Sequence, residues 1–191
     1  MSRPAGSARE PRADISADTP DWSREAKAFW HWHPSRSLLA SLRAHERARG
    51  GGPQHALVRA IAMLRHRFWS VVTGAEIPLG CRIEGGLLLP HPNGIVIHPD
   101  ARIGPNCLLM QQVTLGTGGA LAGAPVLVGR VDIGAGAKVL GGVTLGAHAI
   151  VGANAVVLHD VPAGATAVGV PAHIVQARPA TNPNDSLETK V

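Results

Sequence analysis

Ten histidines, two cysteines and thirteen carboxylates are the side chains in these 191 residues that could move protons, hold metals or attack electrophiles. Imidazole is the side chain whose charge changes between about pH 5 and 8, so a fixed histidine can take and return a proton near neutrality. His98, His148, His159 and His173 fall at scattered outward or terminal positions without metal-ligand spacing. His31 and His33 flank Trp32 as a lone pair, and no metal site is expected. His91 is different. It stands two residues past Leu89, as Gln111 stands two past Leu109, and both leucines belong to a six-residue period. The phase of that period slips by two beside His91, so His91 and Gln111 are expected one coil apart on the same corner. Cys81 and Cys107 occupy small inward-facing slots and read as core thiols of a reducing compartment, neither disulfide partners nor nucleophiles. The cytoplasm is the expected location.

The period that positions these residues runs from Ile97 through Ile103, Leu109, Leu115, Leu121, Leu127, Ile133, Val139, Leu145 and Val151 to Val157. Four positions on, most hexapeptides carry a small or modest residue, such as Ala101, Cys107, Val113, Ala137, Val143, Ala149, Ala155 and Val161. Glycine follows the aliphatic at positions 104, 116, 134, 146 and 152, where it is expected to supply corner torsions. A helix needs apolar residues three and four apart, and a lone strand needs alternation. A six-residue period fits neither; it fits a parallel β-helix in which each hexapeptide is a short strand plus a turn. Each buried Ile, Leu or Val contributes on the order of 1.5–3 kcal/mol, enough to hold a tube with few aromatics. Ile77, Ile83, Leu89 and Ile95 open the column before the slip to Ile97. Between Leu115 and Leu127 the segment GTGGALAGAPV reads as a loop leaving the wall, and residues 77–162 make roughly five coils.

Ahead of the coil, residues 1–20 read as a disordered polar tail without the apolar segment of a signal peptide. Residues 21–72 read as helical. Asp21 is expected to cap a short helix to about Trp32, Ser35 a second to about Arg49, and a third runs from about Gln54 to Val71. Leu38, Leu39 and Leu42 share a face of the second, and Leu57, Ile61, Leu64 and Phe68 form a packing stripe on the third. The β-helix is assigned to 73–162, a closing cap to 163–176 and a polar tail to 177–191. No apolar run suggests a membrane span. Residues up to Val72 carry eleven Arg and one Lys against six acids, a net of +6. These arginines are spread around the helices with no basic–aromatic surface, which favours solvated faces over a nucleic-acid interface.

The segments His91-Pro-Asn-Gly-Ile-Val-Ile97, Gln111-Gln-Val-Thr-Leu-Gly116, Ile133-Gly-Ala-Gly-Ala-Lys-Val-Leu-Gly141 and Val170-Pro-Ala172 resemble the serine O-acetyltransferase family of the hexapeptide-repeat acyltransferases. The resemblance covers about 73–175. It implies a left-handed parallel β-helix, a homotrimer with sites between subunits, and transfer of acetyl from acetyl-CoA to a hydroxyl. His91 falls at the family's general base and Glu76 at the acid that orients it. Asn93 and Gln111 stand where the acceptor or cofactor is oriented, although a stacked amide is an equally structural role for Gln111. Gly134, Ala135 and Ala153 fall beside the pantetheine arm. Thr117 replaces a loop glycine at a cofactor contact, and Lys138 faces either a CoA phosphate or solvent.

The acceptor side departs from the family. Pro90 stands in place of an aspartate that contacts the substrate's amino group, and Gly123 and Ala124 in place of an Arg-His pair for the carboxylate. No acid occurs between Glu25 and Glu46. Desolvated ammonium and carboxylate groups each need charged partners. Serine is the acceptor the resemblance implies, in cysteine biosynthesis; a sugar or other small hydroxyl compound is the alternative these departures favour. A non-catalytic trimeric scaffold is a further alternative. The ending Leu187-Glu-Thr-Lys-Val191 leaves room for docking a cysteine synthase through the tail.

Overall fold

The computed structural model describes residues 15–28, 30–49 and 51–175. From residue 75 onward the hexapeptides give their short strands to three sheets in rotation. The first sheet takes β2 (Val96–Ile97), β5 (Thr114–Gly116), β8 (Lys138–Leu140) and β11 (Val156–Val157). The second takes β1 (Arg82–Ile83), β3 (Arg102–Ile103), β6 (Val126–Leu127) and β9 (Thr144–Leu145). The third takes β4 (Leu108–Leu109), β7 (Asp132–Ile133), β10 (Ile150–Val151) and β12 (Thr166–Val168), all parallel, with β13 (His173–Val175) antiparallel at its end. Bridges from Glu76 to Val96, Leu88 to Leu108 and Leu145 to Val161 complete five turns of chain.

Strict register explains the sequence period. Ile83 pairs with Ile103, Ile103 with Leu127 and Leu127 with Leu145, so equivalent aliphatics stack one above another. The inward column is at most 7% exposed throughout, and Ala101, Cys107, Val113, Ala137 and Ala155 fill the space between its members. Cys81 and Cys107 are free thiols in this core, and burial pushes their pKa values up to about 11 and about 12.

Four details differ from expectation. Leu121 leaves the column for the exposed loop that follows β5. Ile95 fills the slot before Ile97, so the two extra residues of the phase slip lie within 90–94, the segment holding His91. The last turn tightens: Val161 pairs with Leu145 only four residues after Val157, and β12 carries the coil to Val168, beyond the expected end at 162. The glycines after the aliphatics are not there for torsion, since none of the five has a positive φ. A Cβ at Gly104 would overlap the carbonyl oxygen of Val128, and one at Gly146 would come within 2.5 Å of the Ala163 nitrogen. Stacking distance requires glycine at 104, 134 and 146, while Gly116 would take a Cβ at ordinary contact distance. Left-handed corners fall three residues past an inward aliphatic, at Asn106, Gln112, Arg130, His148 and Asn154.

Two helices precede the coil, α1 (Pro34–Arg47) and α2 (Pro53–Thr73). Proline in the first turn suits both starts, where its missing N–H costs nothing. Leu38, Leu39 and Leu42 are buried as expected and join the coil's core. The expected helix 21–32 is only a 3-10 turn at Trp22–Arg24, capped by Asp21 accepting from the Ser23 N–H. The stripe Leu57, Ile61, Leu64 and Phe68 is exposed rather than packed. Small residues explain the choice: Ala62 on α2 and Ser37 and Ser41 on α1 are buried and let the helices approach closely. Of the expected N-terminal tail, residues 15–20 are described and are held by Asn106, whose amide donates to the Ser16 and Thr19 carbonyls at 2.8 Å. Residues 1–14 and 177–191 lie outside the described residues. No helix among the described residues is long and apolar enough to cross a membrane.

Candidate active site

His91 lies in the widened corner between the third and first sheets. Pro90 and Pro92 fix φ on either side of it, which stiffens the segment. Backbone bonds then pin its neighbours: Ile95 N–H donates to the Pro92 carbonyl at 3.2 Å, Gly94 N–H to Gly74 at 2.9 Å, and Gln112 N–H to Asn93 at 2.9 Å. The ring itself is exposed and hydrogen-bonds to nothing among the described residues. Asn93 leans over Gly74, the left-handed C-cap of α2, where a Cβ would meet its amide nitrogen at 2.8 Å.

The cleft at His91 has a volume of about 410 Å³. Pro90, Pro92 and Asn93 form one wall; His33, Pro34 and Ser35 at the start of α1 and Val72 and Thr73 at the end of α2 form the other. Sequence reasoning missed this second wall. Its residues lie far from His91 along the chain, and only the packing of α1 and α2 on the coil brings their ends to that corner. The lining, as described, holds no carboxylate, ammonium or guanidinium.

The same corner continues along the coil. Asn93, Gln111, Ala135 and Ala153 occupy equivalent places on successive turns, with β4, β7 and β10 in register beneath the last three. Contrary to expectation it is Asn93, whose carbonyl accepts the Gln112 N–H, that lines up with Gln111, and His91 lies two residues earlier in the widened corner. Gly136 N–H donates to the Gln111 carbonyl at 2.8 Å and Asn154 N–H to that of Ala135 at 2.8 Å. Among the described residues, the N–H groups of Ala135 and Ala153 donate to no backbone carbonyl. Half-buried Ala135 and exposed Ala153 therefore present free amides on a track with small side chains. Such a track fits an amide-bearing arm like pantetheine. The Gln111 side-chain oxygen is buried and unpartnered among the described residues, so its amide is not satisfied by the coil alone.

Other expected residues fall elsewhere. Glu76 opens on a separate cleft of about 450 Å³ with His66, Ser70, Val71, Ala75, Ile77 and Pro78. The end of α2 separates the two clefts, with Val71 lining one and Val72 the other, and Glu76 does not meet His91 within the chain. Gly134 is required by rung stacking, since a Cβ there would come within 2.6 Å of the Ala153 nitrogen. Lys138 turns neither to solvent alone nor to a free pocket: its Nζ donates to the Gln112 carbonyl at 2.6 Å. Thr117 is exposed at the opposite edge of the first sheet, at the start of the loop, away from the His91 corner.

Three in-register sheets of hexapeptides with a histidine-bearing cleft at one corner define a hexapeptide-repeat protein with one candidate centre. Comparison with known proteins narrows this. No family model matches the chain. A probable serine acetyltransferase 3 from Oryza sativa subsp. japonica is 39% identical over 122 residues, 60% of this chain and 37% of that protein. The soybean serine acetyltransferase structures, as apoenzyme and complexed with serine, share 36% identity at a TM-score of 0.64, covering 75% of this chain and 58% of theirs. A serine acetyltransferase in complex with CoA aligns at a TM-score of 0.62 and 34% identity, covering 75% of this chain and 58% of that one. Over the aligned part the chain is similar to these serine acetyltransferases. It spans little more than a third of the rice protein's length and under two thirds of these solved chains.

Proposed function

We propose that this chain is an acetyl-CoA-dependent O-acetyltransferase whose general base is His91, built on a left-handed parallel β-helix and assembled as a homotrimer. The observation that carries this is an exposed, proline-braced histidine at a cleft in the widened corner, from which two free backbone amides follow along the coil. His91 takes the proton of the acceptor hydroxyl as that oxygen attacks the thioester carbonyl. The C–S bond breaks and the imidazolium returns the proton to the departing thiolate. Direct transfer needs no acylated side chain. The amides of Ala135 and Ala153 hold the pantetheine arm, and Gln111 beside them offers its side-chain amide to the bound reactants. Glu76 is left out of this step because it opens on the other cleft; an orienting contact from Glu76 requires a neighbouring copy.

The named relatives are serine acetyltransferases, and serine is the acceptor they bring to this chain. A sugar or other neutral hydroxyl compound is favoured by a lining without carboxylate, ammonium or guanidinium. The scaffold alternative has no such observation behind it. Purified protein given acetyl-CoA and an acceptor panel, with thiol release followed, tests the reading. His91→Ala should leave the circular dichroism spectrum and melting temperature unchanged while lowering kcat by about 10²–10⁴. Unchanged turnover would remove His91 as base, and no release with any acceptor would favour the scaffold.

A further inference from the structure

Resting on the transferase reading, we propose that the acceptor is a neutral carbohydrate, seated between the indole of Trp32 and the polar groups of His33, Ser35 and Asn93, with one hydroxyl directed at His91. Trp32 directly precedes His33, which lines the cleft, and packs edge-on against Trp69 with ring centroids 5.3 Å apart at 61°. Trp69 lies one turn before Thr73, another lining residue, and the Thr73 hydroxyl donates to the Trp69 carbonyl at 2.7 Å. Trp32 itself lies outside the lining but adjoins it in sequence at His33 and packs on α2 four residues before Thr73. Trp32 nevertheless stays 70% exposed, a large apolar side chain held out to water beside Trp69. The flat C–H face of a pyranose covers such a ring, and its hydroxyls require neutral donors and acceptors nearby.

The polar groups answer that requirement. Ser35 and Asn93 offer a hydroxyl and an amide, and no side-chain hydrogen bond within the described residues engages Ser35. A free amino acid would instead bring an ammonium and a carboxylate into a lining that holds no carboxylate for the one and no ammonium or guanidinium for the other. In the step itself the sugar oxygen forms the bond to the acetyl carbon, the C–S bond breaks, and the hydroxyl proton passes through His91 to the sulfur.

The full chain is assayed with acetyl-CoA and either methyl glycosides of glucose, galactose and mannose or L-serine, following thiol release and the acetylated product by mass spectrometry. The best glycoside should exceed serine in kcat/KM by about ten-fold or more. Trp32→Ala should raise the glycoside KM by about ten-fold with the acetyl-CoA KM unchanged, and Trp32→Phe should recover most of that loss. Where Trp32→Ala fails to fold, Ser35→Ala reads the same KM, with an expected rise of about three-fold. Serine turnover matching or exceeding that of every glycoside overturns the proposal while leaving the transferase reading intact. So does an unchanged glycoside KM in these variants, or a Trp32→Ala effect confined to oligomer mass. Absence of transfer to every acceptor, with no acetyl-CoA binding by calorimetry, overturns both.

Discussion

The residue most exposed to a change of pH in its folding role is His66 on α2. It is 9% exposed, with Nδ1 3.4 Å from the Ser41 hydroxyl and His45 nearby on α1. Burial holds its pKa below the ordinary imidazole value; a hydrogen bond to the Ile77 backbone opposes this, and the His45 charge adds to it. The folded chain therefore binds this proton less readily than the unfolded chain. Its share of stability is complete well above the unfolded value of about 6.5 and is lost as pH falls below it. Urea midpoints should decline as pH is lowered from about 7.5 to 5, and His66→Gln should flatten that decline. A slope unchanged in the variant would place the sensitivity elsewhere. The catalytic candidate calls for a different experiment: His91 is exposed and braced by its backbone, so its substitution should be read in turnover rather than in stability.

At the scale of elements, the attachment of α1 to the coil depends on Arg43. Its guanidinium donates to the Ile83 and Glu84 carbonyls and to both carboxylate oxygens of Glu25, and it reaches Glu46 at 3.2 Å. Glu25 in turn accepts the Leu87 N–H at 3.1 Å, so one buried ion pair joins the 3-10 turn, α1 and the first coil. Removing one member of a buried pair strands the other. Arg43→Ala should destabilise by about 3–5 kcal/mol. Arg43→Lys should recover only part of this, because an ammonium cannot reproduce the planar fork. Chemical denaturation measures both. Because α1 also brings His33 and Ser35 to the cleft, Arg43→Ala should weaken acceptor binding even under conditions where the coil remains folded; an unchanged acceptor KM would show that α1 keeps its place without this contact.

At the scale of the molecule, the five-turn core closes well, but the helical surface does not. Leu57, Ile61, Leu64 and Phe68 leave an apolar stripe on α2 exposed, the kind of contiguous surface at which chains associate. Association is the expected consequence. Light scattering at micromolar concentration should return the mass of three copies, as the proposed homotrimer requires, and a monomer would refute that assembly. The same experiment bears on Glu76, whose cleft adjoins the α2 end and contains no histidine but His66.

The coil was legible in the sequence because a period of six is a purely local consequence of stacking: each aliphatic must meet its equivalent one turn away, and each corner must fit in two or three residues. That rule yielded the loop after β5 and the inward column apart from Leu121, but it set His91 level with Gln111, where the inserted residues put Asn93. It could not say why glycine follows the aliphatics, since crowding by the next rung's backbone is visible only once rungs are stacked. Nor could helical periodicity choose a face for α2, where close approach through Ala62, Ser37 and Ser41 prevailed over the more apolar stripe. The second wall of the cleft, and the separation of Glu76 from His91, were decided by how two helices seat on the end of the coil, a long-range packing preference that no short spacing encodes.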